Sequence, residues 1–475
     1  MSRRPLLLAA LAATIAILLA GCAGFSPDGG MGVVADIAGS ELNKDVVALR
    51  TPEDAEIARD TVKRLLRRPL TADAAVQIAL LNNRDLQAAY NALGLSEAVL
   101  VKASLPPNPT FSISDIAGGG AFEFERVVVV SILALATLPT RTEIAGDRFH
   151  QAQLKAALDT LGVAAQTRRA YYNAIAARSL VRFLEEATAS AETAAQLSRR
   201  LGESGAMNKL DQARDQVFYA DLTAETASAR RRAVATREEL IRWLGVWGGE
   251  TNFRLPSALP SLPGRPRTLA HVEVEAVARR VDLQMARIEV EVLAKSYGLN
   301  GATRFVNLLD AGGDAKTARE PGGSTFNEYG GRVELQVPLF DFGEVRVREA
   351  EATYMQAVNR LMASAVKVRS QAREAYQAYR SAYEIAEHYR RDVLPLRKII
   401  SDEMLLRYNA MQVDVFALLA EARQRIASNT AAIAADRDFW LADADLRAVI
   451  AGGFASTAAT PATPALAAAS AAGHE

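Results

Sequence analysis

The sequence contains one cysteine, four histidines and few aromatic residues, which make up 6% of its 475 positions. A single cysteine excludes an internal disulfide and a cysteine-rich metal site. Lysine plus arginine equals aspartate plus glutamate at 55 each, and a chain without a basic excess is not expected to bind nucleic acid. The histidines (His150, His271, His388 and His474) lack the spacing of metal ligands, and no catalytic set or phosphate-binding loop stands out. We therefore expect no cofactor, no metal site and no enzymatic activity.

The first residues resemble a bacterial lipoprotein signal. A short positive segment, Ser2-Arg3-Arg4, precedes an apolar stretch at residues 6–19 that is too short to span a bilayer comfortably. The run Leu19-Ala20-Gly21-Cys22 then resembles a lipobox, in which cleavage leaves Cys22 as the acylated (palmitate-bearing) first residue. Ala23, which follows it, favours sorting to the outer membrane by the same resemblance. An ordinary signal peptide with a cysteine nearby is the alternative.

Two long parts of the chain repeat the same landmarks in the same order, which predicts an internal duplication. The matched landmarks are Asp85-Leu86-Gln87 with Asp282-Leu283-Gln284, Pro139 with Pro338, and Gly205-Ala206-Met207-Asn208 with Met411-Gln412-Val413-Asp414. The predicted domains are a signal peptide (1–21), an N-terminal arm (22–68), a first repeat (69–248), a proline-rich linker (249–267), a second repeat (268–453) and a disordered Ala/Pro-rich tail (454–475).

Each repeat is predicted to run helix, pair of strands, very long helix, turn and long helix. No proline interrupts residues 140–202, which permits one helix of about 60 residues. Its apolar face is marked by Leu154, Leu158, Leu161 and Ala165. Leu419, Ile426, Ile433 and Trp440 recur every seven residues, as in a coiled-coil seam.

The predicted strands alternate apolar and polar residues. Phe111 and Ile113 alternate with serines, and Phe122 and Phe124 alternate with glutamates. In residues 332–337, Val333, Leu335 and Val337 alternate with arginine, glutamate and glutamine. Such strands suit either a half-buried sheet or the wall of a barrel with lipid outside and water inside. Since one chain has too few strands to close a membrane barrel, a barrel requires several chains.

Two motifs resemble those of the TolC family of outer-membrane efflux proteins. The run at residues 338–343, Pro-Leu-Phe-Asp-Phe-Gly, joins an alternating strand to a long helix and resembles that family's strand-to-helix signature. Residues 407–416 and 205–211 resemble the tips of its two helical hairpins. Asp-Phe-Gly also occurs in protein kinases, but no glycine-rich loop or catalytic-loop motif accompanies it here.

The resemblance implies a mainly α protein with a small β part. Long coiled-coil helices would form a periplasmic α-barrel, and each of three chains would contribute four strands to a transmembrane β-barrel. Such a lipid-anchored outer-membrane channel with a periplasmic extension is a passive exit duct of a tripartite efflux system for small molecules or metal ions. Its implied partners are two further copies of the chain, outer-membrane lipid, a periplasmic adaptor (membrane fusion protein) and an inner-membrane pump of the RND type.

The resemblance also implies a periplasmic entrance at the hairpin tips, formed by Asn208, Asp211, Met411 and Asp414. Asn208 and Asp414 are predicted N-caps of the helices that restart there, and Asp211 has the spacing of a capping box. The family's tip glycine is Met411 here, and its acidic positions in the second repeat are Ala417 and Ala420. Met207, Met404 and Met411 lie near the tips, where thioethers either bind a soft ion or pack flexibly.

Two other classes of protein compete with the channel. A periplasmic coiled-coil adaptor or scaffold lipoprotein would share the long helices, but it would need a compact β-domain in place of duplicated strand pairs. A lipid-anchored enzyme would need a catalytic constellation, for which the sequence provides no candidate.

Overall fold

The computed structural model describes residues 24–452, so the signal peptide, Cys22 and the C-terminal tail lie outside it. The described residues form two compact units. The strand-bearing unit comprises residues 24–34, 89–156 and 282–366, and the helical unit comprises residues 35–88, 157–281 and 367–452. Each unit therefore draws on both predicted repeats.

Long helices dominate the described chain. They are α1 (Gly32–Leu42), α2 (Pro52–Leu66), α3 (Ala72–Asn82), α4 (Arg84–Ser104), α5 (Ile132–Ala136), α6 (Leu138–Glu203), α7 (Lys209–Leu244), α8 (Val272–Arg279), α9 (Val281–Ala302), α10 (Glu344–His388), α11 (Leu394–Asn409) and α12 (Val415–Ala451). The predicted helix at residues 140–202 is confirmed by α6, which has 66 residues. Within residues 24–452, no helix is both long enough and apolar enough to cross a membrane.

A π-helical turn at Tyr389–Val393 joins α10 to α11. Pro395 stands in the first turn of α11 and has no N–H to donate to the preceding turn. Proline removes a hydrogen bond of the helix, and the π-helical turn lies where that bond is lost.

The four strands form one antiparallel sheet in the order β1-β2-β3-β4. They are β1 (Thr110–Gly118), β2 (Ala121–Ser131), β3 (Leu308–Arg319) and β4 (Thr325–Gln336). β2 pairs with β3 across a large separation in sequence, with Val127 opposite Asp314. The predicted fold class, mainly helical with a small part of four strands, is confirmed.

The end of the first strand pair differs from the sequence-based expectation. The apolar run before Pro139 is predicted to be strand-like throughout, but β2 ends at Ser131 and α5 follows. The Ser131 side chain accepts a hydrogen bond from the Ala134 N–H, and Thr137 Oγ1 donates one to the Leu133 carbonyl. The sequence changes there from valines to leucine and alanine, which favour a helix.

Two of the buried clusters in the helical unit are rich in aromatic residues. In one, Tyr171 and Ile175 of α6 pack with Leu240 and Leu244 of α7, and Ala58 and Val62 of the N-terminal arm join them. In the other, Tyr379 and Tyr383 of α10 pack against Phe439 of α12, with ring centroids 5.5 and 5.7 Å apart. The part of the arm that forms α2, whose packing the sequence does not predict, thus belongs to the core of this unit.

The predicted coiled-coil seam on α12 lies beside its most buried stripe. Leu419, Ile426, Ile433 and Trp440 are all half-buried. The buried positions of α12 include Ala432, Ala435, Phe439 and Leu446, which are three, four and seven residues apart. The residues of the predicted seam thus lie next to the buried face of α12 and are partly covered.

Candidate functional site

The two hairpin turns of the helical unit have the same backbone design. Gly205 and Met411 both have left-handed conformations, with φ angles of 77° and 58°. After each, the next N–H returns to the preceding helix, from Ala206 to the Leu201 carbonyl (2.8 Å) and from Gln412 to the Arg407 carbonyl (2.9 Å). This is the Schellman pattern of a helix end, and it is present at both hairpin turns.

Each turn ends at the predicted N-cap. Asn208 Oδ1 accepts a hydrogen bond from the Asp211 N–H at 2.9 Å, and Asp414 Oδ1 accepts one from the Ala417 N–H at 2.8 Å. Both caps have extended backbones, as caps require. Capping by these two residues is confirmed.

The capping box predicted for Asp211 takes a different form. Asp211 Oδ2 accepts its hydrogen bond from the side-chain Nδ2 of Asn208, at 2.8 Å. By contrast, the arm has a full capping box, in which Thr51 and Asp54 exchange side-chain to backbone bonds. The short Asp211 side chain thus orients the Asn208 amide so that its oxygen faces the helix.

The four predicted tip residues form two separate pairs. Asn208 and Asp211 share one turn, and Met411 and Asp414 share the other. Within residues 24–452, no hydrogen bond or ion pair links either member of one pair to a member of the other. The Met411 side chain is 94% exposed. Among the described residues there is no group of three histidine, cysteine, aspartate or glutamate side chains placed to hold a metal ion.

Two buried acids that sequence reasoning missed lie behind the tips. Asp215 and Glu421 stand two helical turns after Asn208 and Asp414, and they are 4% and 8% exposed. Ser198 Oγ donates to one oxygen of Asp215, and Arg397 lies 3.3 Å from one oxygen of Glu421. The second oxygen of each has no hydrogen-bond partner in the described chain. The sequence does contain a sign of the buried acid on α7. Asp215 precedes Phe218 and Leu222 at helical spacing, which places it on the apolar face of that helix.

The strand-to-helix turn at residues 338–343 is tightly constrained. Phe342 and Gly343 have φ angles of 48° and 72°, and the Gly343 N–H donates to Asp341 Oδ1 at 3.1 Å. A side chain at Gly343 would overlap the carbonyl oxygen of Arg304. The motif therefore sets the direction in which the chain leaves β4 and begins α10.

The sheet has one mostly apolar face and one charged face. Residues opposite one another in the register share a face, which places Phe111 beside Val128, and Ala311 beside Val333. The other face holds six acids and two bases, namely Glu123, Glu125, Asp310, Asp314, Glu328 and Glu334 with Lys316 and Arg332. Lys316 lies 2.9 Å from Glu123 and Arg332 lies 3.9 Å from Glu125.

Apolar side chains on the first face are open to their surroundings. Phe111, Tyr329 and Val333 are 70%, 83% and 74% exposed. Every residue of β1 and of β4 is exposed, and each of these two strands has a single neighbour among the described residues. An uncovered apolar face and unpaired strand edges are features that mark contact with a membrane or with another chain.

The sequence matches no family model and no curated protein. Solved structures do match. CusC shares 15% identity with a TM-score of 0.67, over 83% of this chain and 92% of CusC. The outer-membrane channel OprN shares 15% identity with a TM-score of 0.66, over 92% and 98% of the two chains. The open state of the MtrE outer-membrane channel of Neisseria gonorrhoeae shares 16% identity with a TM-score of 0.66, over 82% of this chain and 89% of MtrE.

OprN and MtrE are outer-membrane channels and CusC forms a transmembrane channel, and the present chain has their fold. The resemblance predicted from the strand-to-helix motif and the hairpin tips is confirmed at the level of the fold.

Proposed function

We propose that this protein is a passive outer-membrane duct of a tripartite efflux system, carrying small molecules or metal ions from the periplasm or an inner-membrane pump to the exterior. The proposal is supported by the fold, which is that of channels such as OprN and MtrE over four-fifths or more of the chain. The neighbours are channels and not enzymes.

The two-faced sheet with open edges is the observation that carries the proposal. In a bilayer every backbone N–H and carbonyl must be paired, which an open sheet of four strands cannot achieve. Three copies would join β1 of one to β4 of the next and close a barrel of twelve strands. The apolar face would then contact lipid and the charged face would line the aqueous passage.

The remaining assignments belong to the same proposal. The hairpin tips, with Asn208, Asp211, Met411 and Asp414, form the periplasmic entrance and meet the adaptor, which connects the duct to a pump of the RND type. Acylation at Cys22, outside the described residues, anchors each chain to the outer membrane. The domains are those predicted from the sequence, with repeats at 69–248 and 268–453 about the linker at 249–267.

The test uses the full chain expressed in a Gram-negative host. The outer-membrane fraction is extracted in mild detergent, its mass is measured by light scattering, and the protein is reconstituted into planar bilayers. We expect a trimer that conducts ions, with an acyl group on Cys22 detected by mass spectrometry. A folded monomer without conductance would overturn the channel, and a conducting trimer without lipid would overturn only the anchor.

A further inference from the structure

The helical unit contains a cavity of about 210 Å³ lined by four arginines. They come from separate segments of the chain and are Arg168, Arg267, Arg279 and Arg447. The acids on the cavity wall are Glu41 and Glu275. Since a water molecule occupies about 30 Å³ in the liquid, the space can hold a small polyatomic ion together with water.

Three of the arginines have carboxylate partners. Arg279 Nη2 donates to Glu41 Oε2 at 2.6 Å and Arg279 Nη1 donates to Glu275 Oε1 at 2.5 Å. Arg267 and Arg447 both bind the carboxylate of Asp443, which is 5% exposed. These ion pairs hold the guanidinium groups in place around the cavity.

Arg168 is the exception. Its side chain is only 11% exposed, yet its one ion-pair contact in the described chain is Asp73 Oδ1 at 3.6 Å, which is too long for a hydrogen bond. Asp73 is itself 72% exposed and also faces Lys44 at 3.9 Å. Burial, followed by the charge of Arg447, lowers the pKa of Arg168. An arginine nevertheless stays protonated in a protein, and no described residue accepts a hydrogen bond from the Arg168 guanidinium, which leaves its donors open to water or to a bound ligand.

We propose that this cavity binds a small oxyanion, with phosphate or carboxylate chemistry, and that Arg168 is its main hydrogen-bond donor. An oxyanion presents several acceptor oxygens to the planar guanidinium fork. It would also relieve the repulsion between Arg168 and Arg447. The inference rests on the helical unit alone and does not depend on the channel function.

The experiment measures thermal unfolding and calorimetric binding of the full-length protein in detergent, with inorganic phosphate or malonate added and sodium chloride at equal ionic strength as the reference. A ligand that binds the folded state raises its melting temperature in a saturable way. We expect phosphate, malonate or both to do so, and the two titrations separate phosphate from carboxylate preference. Stabilisation equal to that by chloride would overturn the proposal.

Three variants locate the effect. Arg168→Gln should weaken oxyanion binding at least about tenfold, the effect of losing a charge-assisted hydrogen bond. Arg230→Gln, which removes an exposed arginine paired with Glu185, should leave binding unchanged. Ala165→Leu keeps every charge but narrows the cavity, so it should also weaken oxyanion binding. This variant tests the site even if Arg168→Gln fails to fold. Unaltered binding in Ala165→Leu, or equal losses in Arg168→Gln and Arg230→Gln, would show that the anion does not bind in this cavity.

Discussion

Met411 stands at the same point of the second hairpin as Gly205 does in the first, and its backbone has the same left-handed conformation. A side chain in this conformation costs about 1 kcal/mol, which glycine avoids. We expect Met411→Gly to raise the free energy of unfolding and Gly205→Ala to lower it, each by about 1 kcal/mol. Denaturant titration of the two variants checks this, and a destabilised Met411→Gly would contradict it.

The sheet faces make a second prediction. Phe111 and Ser112 are adjacent and exposed on β1 but point to opposite faces. Phe111→Arg should place a charge in lipid at a cost of up to about 2–4 kcal/mol and reduce assembly in the membrane, whereas Ser112→Arg should be tolerated. The yield of trimer extracted from the outer membrane measures both. Equal yields would mean that the apolar face does not contact lipid.

The predicted entrance can be tested without disturbing the caps. Asn caps a helix about as well as Asp, so the double variant Asp211→Asn, Asp414→Asn removes charge but keeps the helix starts. If these acids surround a narrow opening, the variant should lose cation preference in single-channel recordings, and the loss should be greatest at low salt. Asp414→Ala is the matched control for the cap and should lower stability by about 1 kcal/mol. Unchanged selectivity would show that the two acids act only in the structure of the helix starts and do not attract cations.

Gly343 should tolerate no side chain. Gly343→Ala must adopt a left-handed backbone and also displace the Arg304 carbonyl, so we expect a loss of more than about 1 kcal/mol. Gly331 of β4 has open space where a Cβ would stand, which makes Gly331→Ala the control. Melting temperatures of the two variants give the comparison. A Gly343→Ala protein as stable as the control would show that the turn can rearrange.

The pH dependence of stability should reflect Asp436. Burial raises the pKa of its carboxyl group, and Arg390, at 3.7 Å, only partly opposes this. A raised folded-state pKa gives stability that is lost as the pH rises through it. Asp436→Asn should therefore gain stability relative to the wild type at pH 7 but not at pH 4, whereas the exposed Asp402→Asn should show no such difference. Denaturant titrations at the two pH values measure this.

Much of the tip could be predicted from local residues. The capping by Asn208 and Asp414 was predictable because a cap bonds to an N–H three residues away and needs no distant partner. The burial and the contacts of Asp215 and Glu421 were not predictable. Their partners Ser198 and Arg397 lie on the other helix of each hairpin, far away in sequence. Likewise β3 has no clear alternation of large apolar residues, and its pairing with β2 makes it a strand.

By itself the sequence determined the long helices and the hairpin turns, because these depend on periodicity and on short-range turn chemistry. The fold was indicated by the resemblance of the strand-to-helix motif and the hairpin tips to the TolC family. Only the tertiary structure decided that α2 of the N-terminal arm joins the core of the helical unit and that β2 pairs with β3. It also decided that Arg168, Arg267, Arg279 and Arg447 surround one cavity. These arrangements depend on contacts between residues far apart in the chain, whose free energy comes from burial and charge pairing that no local pattern records.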